Sequence, residues 1–204
     1  MLEVQGLGMT YGETRVLDKV AFKVAPGESL AVTGPSGCGK STLIRLLCGL
    51  EIPDSGAIFH GGQSLLRLLP HARGISVCFQ SSALWPHMTL RQNIEAAAPK
   101  GSDQTVAGLL DRLELIQSAN RKPCQVSGGQ ARRAAIARAL AAQRPILLLD
   151  EPLASIGGGL AEQTAALINE WSTERSQILI WTAHTLDTPL IRFDRSLELS
   201  KNSG

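Results

Sequence analysis

Lys40 and Ser41 close the run Gly34-Pro35-Ser36-Gly37-Cys38-Gly39-Lys40-Ser41, which fills every fixed position of the pattern G-x-x-x-x-G-K-[ST]. Glycines at this spacing let the backbone curl so that successive N–H groups point inward and make a concave anion site. A lysine at the seventh position reaches the β- and γ-phosphates of a nucleotide, and the Ser41 hydroxyl offers an oxygen to Mg²⁺. Thr42 follows directly and counts with the loop. Cys38 lies inside the run with no evident chemical task. The chemistry indicated is binding of ATP with Mg²⁺. The loop alone does not choose among kinases, GTPases and motor ATPases.

A second constellation is Asp150-Glu151, which follows directly on the apolar run Ile146-Leu147-Leu148-Leu149. A buried strand that delivers two acids at its carboxyl end puts them where ligands of parallel sheets sit. Side chains alternate along a strand, so the two carboxylates face different ways and suit different roles. Asp150 would hold the metal shell and Glu151 would polarise an attacking water.

These residues need elements to position them. Ser29 to Thr33 reads as a short buried strand before the phosphate loop. Leu43, Leu46, Leu47 and Leu50 after it fall on one helical face, and the positive end of that helix points at the loop. Val20 to Val24, Gly74 to Phe79, Ile146 to Leu149, Ile178 to Thr182 and Ser196 to Leu199 read as further strands. Thr89 to about Leu115 (broken at Pro99 and Gly101), Gln130 to Ala142 and Leu160 to Trp171 read as helices. Strands alternating with helices predict an α/β fold with a parallel core sheet. Residues 81 to about 140 lack strands and predict a helical lobe. The first 30 residues with Ala57 to His60 predict an added antiparallel sheet.

Composition bounds the partners. The chain has 204 residues, 44% hydrophobic and 19% charged, enough for one packed domain. A formal net charge of +2 gives no support to nucleic-acid binding. The basic group Arg132, Arg133 and Arg138 falls in a helical pattern and reads as a solvated helix face. Cys38, Cys48, Cys78 and Cys124 form no CxxC pair and no zinc spacing with His60, His71, His87 or His184, so they read as reduced thiols of a cytoplasmic protein. Met1-Leu2-Glu3-Val4 lacks the features of a signal peptide, and no stretch reaches the roughly 18 apolar residues of a membrane helix.

Val126-Ser127-Gly128-Gly129-Gln130 resembles the LSGGQ signature of the ABC (ATP-binding cassette) ATPases, with Val126 in place of leucine. Ser127 lies 23 residues before Asp150, a spacing similar to that family's. Ser127 can cap the following helix, and two glycines at a helix start make a second anion site. The resemblance runs from Leu2 to about Leu199. Gln80, after the strand that ends at Phe79, resembles the Q-loop glutamine, which touches Mg²⁺ or the water. His184 alone reads as an ordinary helix-start residue. At 33 residues after Glu151 it resembles the switch histidine that contacts the γ-phosphate. Tyr11, the single tyrosine, resembles the aromatic that stacks on adenine, with Val16 beside it; core packing is its other reading.

The resemblance implies an α/β P-loop NTPase fold with a mixed core sheet, an antiparallel β subdomain and a helical subdomain, all in one domain over residues 1–204. It implies an ATPase that drives transport through separate integral membrane subunits, at the cytoplasmic face of the membrane. ATP held by the phosphate loop of one subunit would be covered by Ser127, Gly128, Gly129 and Gln130 of a second, in a head-to-tail dimer. Glu151, His184, Gln80 and Lys40 would be the catalytic set, and Ser41, Gln80 and Asp150 the metal set. A soluble ABC-type ATPase and a nucleotide-dependent regulator are the alternatives. The chain departs from the family after Pro152: Ala154-Ser155-Ile156-Gly157 stands for the usual S-A-L-D, which removes the D-loop aspartate. Thr185 follows His184 where aspartate is common. The chain stops soon after the last strand, which reads as absence of the regulatory domain some importers carry. Trp85 is either an anchor for a partner helix or part of the helical core.

Overall fold

The structure, a computed structural model, describes residues 1–184 and 191–201. Thr185 lies outside the described residues. Two sheets carry the fold. The first has the order β2-β1-β4-β5, from β1 (Leu2–Tyr11), β2 (Thr14–Val24), β4 (Ser55–His60) and the short β5 (Gln63–Ser64), and its pairs are antiparallel. The second has the order β6-β7-β8-β3-β9, from β3 (Ser29–Thr33), β6 (Ile75–Cys78), β7 (Ile146–Asp150), β8 (Ile178–Thr182) and β9 (Arg195–Glu198). All its pairs are parallel. Parallel and antiparallel pairing are thus divided between two sheets.

β7 and β8 are apolar without alternation because both of their faces are covered. Ile146, Leu148, Ile178 and Ile180 face a core shared with the antiparallel sheet and α1 (Lys40–Cys48). Leu147, Leu149, Leu179 and Trp181 face a second core. Its other walls are α2 (Leu90–Glu95), α3 (Asp103–Arg112), α4 (Gly128–Ala141) and α5 (Gly158–Glu174). Helices α2 and α3 pack on α4, so the strand-free stretch forms one helical layer. The sheet's carboxyl-end loops carry both the phosphate loop, after β3, and Asp150-Glu151, at the end of β7.

Two details differ from the sequence pattern. Leu50 leaves the helical face, because Gly49 in the left-handed region (φ 82°) ends α1 and leaves Leu50 57% exposed. The last carbonyls of α1 are taken by a side chain: buried Arg73 donates from Nη1 to Leu46 O (2.8 Å) and Leu47 O (2.9 Å). The second difference concerns α4. Arg132 (3% exposed) and Arg133 (9%) are buried, so the basic group is not a solvated face. Every alanine from Ala134 to Ala141 is buried too. Beyond its first turn the helix is covered, so Arg132 and Arg133 go inside with it while Arg138 is half-buried.

Candidate nucleotide site

The phosphate loop is built by glycines that no other residue could replace without strain. Gly34, Gly37 and Gly39 have φ of 143°, 81° and 101°. A Cβ on Gly39 would lie 2.7 Å from Leu17 Cδ2 and 3.0 Å from Val16 O; one on Gly34 would fall on the Leu199 carbonyl oxygen. Gly39 precedes α1 without any side-chain cap, so the first N–H groups of that helix are free to meet an anion. Lys40 is 5% exposed and folds back across the loop, donating from Nζ to Gly34 O (2.7 Å) and Pro35 O (3.3 Å). Pro35, Ser36 and Gly37 are exposed. Cys38 turns inward: it is 2% exposed and belongs to the core beneath the loop. Its missing chemical task is explained by packing.

A cleft of about 400 Å³ opens over the loop, lined by Ser36, Gly37, Gly39, Lys40, Ser41 and Thr42, with Val16, Gln80, Glu151 and His184. Three nitrogens converge there on one carboxylate. Gln80 Nε2 donates to Glu151 Oε2 at 3.2 Å, His184 Nε2 lies 3.1 Å from Oε1, and Lys40 Nζ lies 3.7 Å from Oε1. These residues come from four segments spread between positions 40 and 184, and the fold brings all of them together.

Asp150 faces elsewhere, as strand alternation requires. It lines an adjoining cleft of about 320 Å³ with Ser41, Arg45, Phe79 and Gln80. Its Oδ1 accepts from Thr182 Oγ1 (2.7 Å), and that hydroxyl oxygen accepts from Glu151 N (3.0 Å). Ser41, Gln80 and Asp150 therefore border one cavity. One carboxylate with a hydroxyl and an amide oxygen fits a hard divalent ion that completes its shell with phosphate oxygens and water. No group of three His, Cys, Asp or Glu side chains among the described residues could hold a metal without such help.

Glu151 has φ 47°, a left-handed conformation that costs a non-glycine residue roughly 1–3 kcal/mol and persists only where the surroundings impose it. Thr182 and Arg132 do so here. Arg132 Nη2 donates to Asp150 O (2.5 Å) and Glu151 O (2.6 Å). Sequence reasoning missed Arg132 and Thr182. It also missed Asn93, fully buried, which holds residues 85–89 by donating from Nδ2 to Trp85 O, Met88 O and Thr89 O. Trp85 is 41% exposed, with the Arg138 guanidinium 4.8 Å from its ring centroid. Behind Gln80, at the end of β6, burial pushes the Cys78 thiol up to about 11.

The remaining expected residues do not line this cleft. Ser127 caps α4 in a reciprocal box: its Oγ accepts from Gln130 N (3.2 Å) and Gln130 Oε1 accepts from Ser127 N (3.0 Å). Ser127 and Gly128 are exposed, and a Cβ on Gly129 would meet Ser155 O at 3.2 Å. Tyr11 is 43% exposed, so it is not core; its hydroxyl donates to the Glu51 carboxylate. No helix among the described residues is long and apolar enough to cross a membrane.

Comparison with known proteins identifies the family. Residues 17–154 match the family model described as ABC transporter. The spermidine/putrescine import ATP-binding protein PotA of Legionella pneumophila is 37% identical over 201 residues, covering 96% of this chain and 55% of that protein. The Fe(3+) ions import ATP-binding protein FbpC 2 of Rhodococcus jostii is 36% identical, covering 98% of this chain and 59% of that protein. The chain thus spans little more than half the length of these relatives. A solved dimeric ATP-binding cassette in a post-hydrolysis state with ADP and Pi superposes with a TM-score of 0.88 at 28% identity, covering 100% of this chain and 97% of that one. The chain belongs to the ABC transporter family.

Proposed function

We propose that this chain binds and hydrolyses MgATP as the ATP-binding subunit of a transporter, acting at the cytoplasmic face of the membrane on separate integral membrane subunits. The observation that carries the reading is the convergence of Lys40, Gln80 and His184 on the Glu151 carboxylate at the mouth of the phosphate loop. Phosphoryl transfer to water needs positioning and charge stabilisation more than covalent chemistry. Lys40 and the N–H groups of the loop would hold the β- and γ-phosphates. Glu151 would accept a proton from the attacking water, with Gln80 and His184 orienting its two oxygens. Ser41, Gln80 and Asp150 would hold Mg²⁺, which neutralises charge on the phosphate oxygens.

Residues 1–204 would act as a single ATPase domain, with the helical subdomain at about 81–140. Ser127, Gly128, Gly129 and Gln130 do not line the cleft of their own chain, and Ser127 and Gly128 are exposed. That supports a head-to-tail dimer in which they cover the nucleotide of the other subunit. Tyr11, 43% exposed, would stack on adenine, with Val16 at the edge of the cleft beside it. Two relatives are named for import, which supports that direction; one is named for polyamines and one for ferric ions, so the cargo is set outside this chain. Phosphate release from MgATP by the purified chain tests the catalytic reading, and its absence under saturating MgATP would sink it. Recovery of membrane subunits on affinity purification of the tagged chain from solubilised membranes separates the transporter from a soluble ATPase.

A further inference from the structure

Arg132 is buried inside α4, at 3% exposure, and makes no ion pair with a carboxylate among the described residues. Its guanidinium has five N–H donors, and all five meet backbone carbonyl oxygens. Nε donates to Pro152 O (3.0 Å). Nη2 donates to Asp150 O (2.5 Å) and Glu151 O (2.6 Å). Nη1 donates to Gln80 O (2.9 Å) and to Phe79 O.

One rigid planar group therefore joins three pieces of chain: the signature helix α4, the segment 79–80 and the segment 150–152. The last two carry the side chains that meet each other, Gln80 Nε2 and Glu151 Oε2 at 3.2 Å. Glu151 is also the residue held at φ 47°. A planar fork can span two segments in one fixed geometry; a lysine, with its three donors on a single nitrogen, cannot. Arg132 does not line the nucleotide cleft; it reaches Gln80 and Glu151 through their backbone carbonyls.

We propose that Arg132 is a positioning residue for ATP hydrolysis. It sets the spacing between Gln80 and Glu151 and keeps Glu151 in its left-handed conformation. It also makes α4 and the Gln80–Glu151 pair move as one body, so the signature of this subunit and its own catalytic carboxylate shift together. The inference rests on the ATPase reading above. Lys40 is held by Gly34 O and Pro35 O and not by Arg132, so the phosphate loop keeps its shape without it and the affinity for nucleotide is expected to stay near wild type.

The test compares wild type, Arg132→Gln and Arg132→Lys in the full chain. It measures phosphate release per folded subunit, the Kd for a non-hydrolysable ATP analogue and the urea midpoint. Loss of the clamp is expected to lower kcat about 10- to 100-fold in both variants, the effect of a reacting group displaced by around 1 Å, with the Kd within about twofold of wild type. A purely structural arginine would lower the urea midpoint and leave kcat per folded subunit unchanged. Wild-type kcat in folded Arg132→Gln overturns the proposal. Should that variant not fold, Arg132→Lys, which keeps the stem and the charge, is judged on the same criterion. A wild-type chain that releases no phosphate defeats the ATPase reading and the proposal together; active wild type with unaffected variants defeats the proposal alone.

Discussion

Glu151→Gln separates holding a nucleotide from hydrolysing it. The substitution keeps the side-chain size and the partner positions but removes the charge and the proton acceptor. In the structure the carboxylate side chain is 14% exposed and faces Lys40 Nζ at 3.7 Å, Gln80 Nε2 at 3.2 Å and His184 Nε2 at 3.1 Å. A positioned general base contributes about 10²–10⁴ in rate, so turnover is expected to fall by that factor, about 2.7–5.5 kcal/mol in the barrier. Binding is expected to hold or to tighten. Lys40 keeps its bonds to Gly34 O and Pro35 O, the loop glycines are untouched, and a negative charge next to the phosphate site is gone. With binding retained and hydrolysis blocked, the ATP-bound two-subunit state should accumulate. Three measurements check this: phosphate release at saturating MgATP, calorimetric titration with ATP, and size-exclusion chromatography with and without ATP. Turnover within about threefold of wild type in a folded variant would refute the assignment of Glu151 as base, whatever the oligomeric state.

Gly39→Ala puts a side chain at φ 101° against Leu17 and Val16, and is expected to lower stability by roughly 1–3 kcal/mol in urea titration; an unchanged midpoint would show that the loop relaxes freely. Gly157→Asp should fold normally, since φ is −98° and nothing lies within 4 Å of the added Cβ. It is expected to raise the cooperativity of hydrolysis in MgATP, because it returns the carboxylate that the resemblance places in this loop, which here reads Gly157-Gly158-Gly159; no change in rate or Hill coefficient would sink the idea. Thiol labelling at pH 8 should modify Cys124 first. Cys38, Cys48 and Cys78 are buried; burial raises the Cys48 thiol and pushes the Cys78 thiol up to about 11, which disfavours the reactive thiolate of both. All four should react after denaturation, and fast native labelling of Cys38 would show that the phosphate loop opens to its core side.

What was legible in the sequence is what local spacing encodes. The phosphate loop carries its own backbone geometry in the positions of Gly34, Gly37 and Gly39, and the cap of α4 is an i, i+3 pair that Ser127 and Gln130 announce. The strands β7 and β8 could be read because unbroken apolar runs mean two covered faces, and two covered faces mean a parallel sheet with its ligand end at Asp150. Arg132 lies only two positions beyond Gln130, yet its role depends on residues 79–80 and 150–152. A basic side chain in a helical pattern says which face is polar. It does not say whether that face meets water or a crevice lined by carbonyl oxygens.

The signal that could have found it was beside it: Ala134, Ala135, Ile136, Ala137, Ala139, Leu140 and Ala141 put apolar residues on every face of α4. A helix without a polar stripe is buried all round, so a charged residue within it is inside, and the donors of Arg132 find their acceptors there. No carboxylate in the helical pattern was placed to pair with Arg132, and backbone carbonyls at the carboxyl ends of the two neighbouring strands, β6 and β7, were the acceptors left. By that logic the helix that begins with the signature was bound to be tied to the strand that delivers Asp150 and Glu151. The tie belongs to the catalytic arrangement as much as to the core.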